Sequence, residues 1–149
     1  MNKAILLDLD HTLIQPLEGR IFPLGIDDWE FIDKTIDYIK SLCELDSYGV
    51  HIVSNQGGIE AGYITSVDVN KKFNNIFYKL KEKGVPVISM LYCPDMQSYE
   101  RKPNPGLAYR LACDYQINLK DSIMVGDMAT DKEFATFAGI GKYIDVKEL

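Results

Sequence analysis

The sequence is poor in the residues that build disulfide frameworks and zinc ribbons. It holds three cysteines, Cys43, Cys93 and Cys113, and no two of them form a C-x-x-C pair. Scattered cysteines in odd number favour reduced thiols over either kind of framework. We therefore expect a protein of the cytoplasm.

Long apolar segments are also absent from the sequence. The first apolar run follows Lys3 and reaches Asp8 almost at once, which is too short for the apolar region of a signal peptide. No segment approaches the roughly 20 apolar residues that a membrane-spanning helix needs. We expect a soluble protein with no membrane partner, and nothing in the sequence implies an obligate protein partner.

Positive charge is in deficit. The chain has 16 lysines and arginines against 22 aspartates and glutamates, a net charge of −6. It has no general basic field to hold nucleic acid, which argues against a simple DNA-binding module, although a local basic groove stays open. The composition, 46% hydrophobic and 26% charged, is that of a globular protein, and the length fits a single domain, residues 1–149.

Apolar runs of strand type alternate with helical patterns along the chain. The runs cover residues 4–7, 50–53, 85–91, 123–125 and 143–146. The helical stripes cover residues 29–43, capped at Asp27 or Asp28; 69–80, after the capping-box pattern Thr65-Ser66-Val67-Asp68; 107–115, after Asn104-Pro105; and a short segment from Thr130. This alternation predicts an α/β fold, a doubly wound, Rossmann-like parallel sheet with helices on both faces.

Polar residues stand where these predicted strands end. Asp8 and Asp10 follow the first strand, Ser54 and Asn55 the second, and Asp127 the fourth, with Asp131 just beyond. The carboxyl ends of parallel strands share one edge, where ligands bind, so we expect these groups to meet there. Clustered carboxylates need a cation, and oxygen donors without histidine or cysteine partners favour Mg²⁺ over zinc.

The same residues fit phosphoryl transfer. Of Asp8 and Asp10, one carboxylate can act as nucleophile and the other as general acid. Lys102, in the pair Arg101-Lys102, can neutralise charge on a transferring phosphoryl group, and Ser54 can bond its oxygens. Each residue alone has an ordinary explanation as a turn or a solvated surface group. Their order along the chain makes the combination specific.

Four segments resemble the motifs of the haloacid-dehalogenase superfamily of phosphatases. They are Asp8-Leu9-Asp10-His11-Thr12-Leu13-Ile14, Ser54-Asn55-Gln56, Lys102, and Gly126-Asp127-Met128-Ala129-Thr130-Asp131. The resemblance implies that fold without a large cap domain, since the loop after Asp10 is short and one helix and one strand fill the chain between Gln56 and Arg101. His11 departs from the usual glycine; we interpret it as a turn residue, with substrate contact as the alternative.

The resemblance also implies roles. Asp8 would form an aspartyl-phosphate, and Asp10 would protonate the leaving alcohol and later activate water. Metal residues would be Asp8, Asp127 and Asp10, the last through its backbone carbonyl, together with Asp131, which would orient metal-bound water or Lys102. Substrate-binding residues would be Ser54, Asn55, Arg101 and Lys102.

Two subgroups compete for the substrate. Gly19-Arg20-Ile21-Phe22-Pro23 and Asp28-Trp29 resemble the 3′-phosphatase domain of polynucleotide kinase-phosphatases, whose kinase motif G-x-x-x-x-G-K-[ST] is missing here. Tyr92-Cys93-Pro94 and the segment 101–106 resemble the heptose-bisphosphate and histidinol-phosphate phosphatases, with only Cys93 left of their zinc loop.

We expect a 3′-phosphorylated polynucleotide end as substrate, with a small sugar or alcohol phosphate as the alternative. From other classes, a phosphotransferase or a non-catalytic binding module stays open. The lysine-rich segment Lys71–Lys83 fits either a solvated helix face or a track for a phosphate backbone.

Overall fold

A parallel sheet between two layers of helices forms the part of the chain that the computed structural model describes, residues 2–149. The strands are β1 (Lys3–Leu7), β2 (Ile14–Gln15), β3 (Glu30–Phe31), β4 (Tyr48–Asn55), β5 (Val87–Cys93), β6 (Ile123–Gly126) and β7 (Lys142–Asp145). The α-helices are α1 (Asp33–Leu45), α2 (Ser66–Glu82), α3 (Gly106–Tyr115) and α4 (Ala129–Ala138). The predicted domain, 1–149, begins at Met1, which lies outside the described residues.

The five-stranded sheet has the order β5-β4-β1-β6-β7, and all its neighbouring strands run parallel. Alternation along β1 sends Ile5 and Leu7 into a core with α1 and α2, and Ala4 and Leu6 into a core with α3 and α4. All four side chains are fully buried. The predicted doubly wound α/β fold is therefore confirmed, and helices cover both faces of the sheet.

The first helix was predicted to begin too early. It begins at Asp33, because Trp29 precedes β3 and β3 pairs with β2 in a small antiparallel hairpin. The carboxylate of Asp28 does not cap a helix; it accepts hydrogen bonds from the backbone N–H groups of Leu17 and Leu24. The apolar stripe crosses this boundary because both the hairpin and the helix bury their apolar side chains in the same core.

Of the caps predicted for α2 and α3, one is confirmed and the other is wrong. Thr65 caps α2 as predicted, because its hydroxyl oxygen accepts a 3.1 Å bond from the N–H of Asp68. Asn104 does not cap α3. Its side chain donates to the carbonyl of Ser98, and the helix begins two residues later, after Pro105.

No large cap domain covers the sheet in the described residues, as predicted. The hairpin β2–β3 follows β1 along the chain, and the loop between its strands, residues 16–29, lines a cleft together with Asp10, just beyond the carboxyl end of β1. Within residues 2–149, none of the helices has the length and apolar character needed to cross a membrane.

Candidate active site

The strand order places a crevice between β1 and β6. From β1 the chain builds outward through β4 and β5, then returns to the other side of β1 with β6 and β7. Neighbouring loops diverge at such a reversal, so ligands bind there at the carboxyl ends of the strands. Asp8 directly follows β1 and Asp127 directly follows β6, and the N–H of Asp8 donates to the carbonyl of Val125 at 3.0 Å.

Three carboxylates meet at this crevice. Asp8, Asp127 and Asp131 can each offer an oxygen within 4.8 Å of the others. The hydroxyl of Thr12 lies 3.2 Å from Asp8 Oδ2 and 3.1 Å from Asp127 Oδ1, so it ties two of them together. Gly126 permits the arrangement, because a Cβ there would overlap the side chain of Asp131.

Lys102 is the cation of the cluster. Its Nζ donates to Asp8 Oδ1 and to Asp131 Oδ1, both at 2.7 Å, and the residue is only 3% exposed. Asn55 fixes the backbone that carries this side chain. Its Nδ2 donates to the Lys102 carbonyl at 3.0 Å, and its Oδ1 accepts from the Lys102 N–H at 2.9 Å.

Burial and charge act against each other in this cluster. Burial raises the pKa of Asp8, and the charge of the Lys102 ammonium opposes this shift. Burial and the charge of Asp8 raise the pKa of Asp131 in the same way. Burial disfavours the charged form of Lys102, but the two carboxylates outweigh it and raise the pKa of the ammonium. Lys102 therefore stays charged.

The donor set fits Mg²⁺. Three carboxylates face one ammonium, so the cluster carries excess negative charge that a divalent cation would neutralise. Its donors are all oxygens, which suits magnesium and not zinc. A cation beside Asp8 would also favour the ionised carboxylate that a nucleophile needs.

Asp10 is not among the three clustered carboxylates and lines a neighbouring cleft. Gln56 Nε2 donates to Asp10 Oδ2 at 3.0 Å and lies 2.7 Å from Ser54 Oγ, so one amide links the ends of β1 and β4. Burial raises the pKa of Asp10, although the ammonium of Lys72 opposes the shift. A carboxyl group with a raised pKa suits proton donation near neutral pH.

A cleft of about 820 Å³ opens beside Asp10. The loop 16–29 forms one wall of the cleft. Ile21 belongs to this loop, and its carbonyl oxygen lies 3.1 Å from His11 Nε2. The opposite wall comes from Gln56, Tyr63 and the first turns of α2. Volumes of this size suit small-molecule ligands. His11 has a positive φ of 59°, as a turn residue does, and also lines the cleft.

The structure gathers most of the predicted site residues and leaves one at the edge. Ser54, Asn55 and Lys102 join the aspartates through the contacts described above. Arg101 packs over Gly57, and its Nη1 donates to the carbonyl of Asp95 at 3.4 Å. Arg101 lies on the loop before α3, at the edge of the site.

Three polar residues at the site were not predicted to act there. Thr12 and Gln56 belong to the quoted motifs, but their links to the aspartates depend on how three strand ends come together. Lys72 belongs to the lysine-rich segment that fitted either a solvated helix face or a track for a phosphate backbone. The other four lysines of that segment are exposed, but Lys72 is buried and lines the cleft.

The sequence is similar to known phosphatases over nearly its whole length. The family described as "Polynucleotide kinase 3 phosphatase" matches residues 3–144. A D-glycero-alpha-D-manno-heptose-1,7-bisphosphate 7-phosphatase from Photorhabdus laumondii is 33% identical, over 82% of this chain and 72% of the relative. The D-glycero-beta-D-manno-heptose-1,7-bisphosphate 7-phosphatase of Haemophilus influenzae is 32% identical, over 100% of this chain and 82% of the relative.

A solved structure agrees in fold. The D,D-heptose 1,7-bisphosphate phosphatase of B. bronchiseptica, complexed with magnesium and phosphate, superposes with a TM-score of 0.81 at 26% identity, over 95% of this chain and 79% of that one. The names of these relatives do not support the predicted preference for a polynucleotide 3′ end. They favour the alternative, a small phosphorylated sugar.

Proposed function

The chain belongs to the polynucleotide kinase 3 phosphatase family of the haloacid-dehalogenase superfamily and is a Mg²⁺-dependent phosphoric monoester hydrolase, and on this premise we propose that it acts on a small phosphorylated sugar of the heptose-bisphosphate type. The observation that carries the substrate proposal is the identity to heptose-bisphosphate phosphatases along the whole chain. The cleft of about 820 Å³ beside Asp10 is consistent with a ligand of this size.

In this proposal Asp8 attacks the phosphorus atom. An Asp8 carboxylate oxygen forms a bond to phosphorus while the bond to the leaving sugar oxygen breaks, and Asp10 gives that oxygen its proton. Asp10, now ionised, takes a proton from water as the water attacks the aspartyl-phosphate, which releases inorganic phosphate and restores both carboxyl groups.

Lys102 and Ser54 are proposed to hold the phosphoryl oxygens. An ammonium has three donors, and Asp8 and Asp131 accept from Lys102, so one donor is free for the substrate. Asn55 positions Lys102 through its backbone and does not itself contact substrate in this proposal. Arg101 is proposed to reach substrate only from the edge of the site.

The metal residues are proposed to be Asp8, Asp127 and the backbone carbonyl of Asp10. Bound there, Mg²⁺ supplies positive charge to the phosphoryl group. We assign Asp131 to positioning. One of its oxygens holds Lys102, and the other accepts from the N–H groups of Asp127 and Met128 at 3.2 and 3.1 Å.

A comparison of substrates tests this proposal. We expect kcat/KM for heptose 1,7-bisphosphate to exceed that for a 3′-phosphorylated oligonucleotide by about 100-fold or more, since a site built for sugar hydroxyl groups leaves polar groups unpaired with other ligands. Preparations of Asp8→Asn control for contaminating phosphatases. A preference for the oligonucleotide would overturn the proposal. Transfer of phosphate to an added alcohol, without free phosphate, would assign the enzyme to the phosphotransferases instead.

A further inference from the structure

The cleft is on the side of the site that receives the leaving group. Asp8 and Lys102, which handle the phosphoryl group, do not line it, whereas Asp10, the proposed proton donor, does. A general acid must touch the oxygen that departs. The part of the substrate beyond that oxygen therefore extends from Asp10 into the cleft, between the loop 16–29 and α2.

One buried cation faces this space. Lys72 is 8% exposed, lies between the core residues Val69, Phe73 and Ile76 of α2, and is the one lysine or arginine among the lining residues of the described chain. Across residues 2–149, no carboxylate oxygen lies within 4.0 Å of its Nζ, whereas four other cationic side chains form ion pairs: Lys3, Arg20, Lys102 and Arg110.

The aliphatic stem of Lys72 is buried, and its ammonium is open to the cleft, where an anionic ligand can reach it. No carboxylate that lines the cleft forms an ion pair with Lys72. Asp28 is held by Arg20 at 2.5 Å, and Asp10 accepts a hydrogen bond from Gln56, while the charge of Lys72 acts on Asp10 without an ion pair between them. Asp68, one turn earlier on α2, also lines the cleft without pairing with Lys72, and offers an acceptor for hydroxyl groups.

We propose that Lys72 binds a second phosphate on the leaving group and so selects bisphosphorylated substrates. The inference rests on the proposed function for the location of the leaving group. It assigns the selectivity to a residue of α2, in the lysine-rich segment for which the sequence left open a solvated face or a track for a phosphate backbone.

A pair of synthetic substrates tests Lys72 independently of the natural sugar. Phenyl phosphate and its para-phosphonomethyl derivative share the reacting bond and differ only in an anionic group on the leaving side. We expect the wild type to prefer the derivative, and Lys72→Met to lower the ratio of the two kcat/KM values about 10- to 100-fold, mainly through KM. Lys72→Arg should restore part of the ratio.

Lys71→Met is the matched control, because Lys71 is the exposed neighbour on the same helix and does not line the cleft. It should keep the wild-type ratio. If Lys72→Met fails to fold, Lys72→Gln replaces it. A wild type without preference, or variants that change both substrates by one factor, would overturn the proposal; the second result would mean that Lys72 acts only on Asp10. Failure of the sugar comparison alone would overturn the proposed sugar and not this assignment.

Discussion

Some residues of the site could be predicted from the sequence, whereas the surroundings of others depend on distant parts of the chain. Asp8, Asp127 and Lys102 could be predicted as a group because each stands at a strand end or before a helix, and the fold brings such ends together. Lys72 could not. Its spacing on α2 is that of an ordinary polar position, and only the fold shows that it is buried and lines the cleft.

A second buried polar residue, His51, lies away from the site and gives a test of stability against pH. It is 1% exposed on β4, its Nδ1 lies 2.7 Å from Ser89 Oγ, and its ring packs against Tyr115. Burial lowers the pKa of His51 from 6.5 to about 4. The folded state therefore binds fewer protons than the unfolded state between these two values.

We expect His51 to reduce stability as the pH falls from 6.5 towards 4, by roughly 3 kcal/mol in total, and to have no such effect above 6.5. Urea unfolding of wild type and His51→Gln across this range measures the effect. The variant should lose less stability on acidification, whatever its stability at pH 7. Parallel stability curves for the two proteins from pH 7 to 4 would show that His51 does not titrate as argued.

Among the elements, the loop 16–29 is the one whose internal hydrogen bonds the sequence did not predict. Its order comes from Asp28, which accepts from two backbone N–H groups, at 3.1 and 2.7 Å, and from the guanidinium of Arg20. These bonds lower the pKa of Asp28, with the N–H of Leu24 and the side chain of Arg20 as the main causes. Asp28 was predicted as a helix cap because caps and turns use the same residue types.

We expect Asp28→Ala to loosen this wall of the cleft and to lower kcat/KM for the sugar substrate by about 10- to 100-fold, mostly through KM, because the loop touches the leaving group and not the phosphoryl group. Steady-state kinetics check this. The matched control is Glu18→Gln, which removes the exposed partner of the same arginine and should leave KM within about twofold. An unchanged KM in Asp28→Ala would contradict this role for the loop.

At the scale of the whole molecule, the sheet was the most predictable feature. Apolar residues dominate four of its strands, and the continuous runs at residues 4–7 and 123–125 are typical of a parallel sheet covered on both faces. The substrate was the least predictable. It depends on the cleft between the loop 16–29 and α2, whose shape arises from contacts between segments that are distant in sequence.

The central claim is that Asp8 carries the phosphoryl group. Asp10→Asn should slow the second step, since general base catalysis contributes roughly 10²- to 10⁴-fold, while p-nitrophenolate leaves with little need of an acid. Rapid acid quenching of this variant with p-nitrophenyl phosphate and Mg²⁺, followed by peptide mass spectrometry, measures the intermediate. We predict one phosphoryl group on Asp8. This phosphoryl group should be absent from the double variant Asp8→Asn/Asp10→Asn and from samples without Mg²⁺. Release of phosphate with no phosphorylated enzyme, or phosphate on another residue, would contradict it.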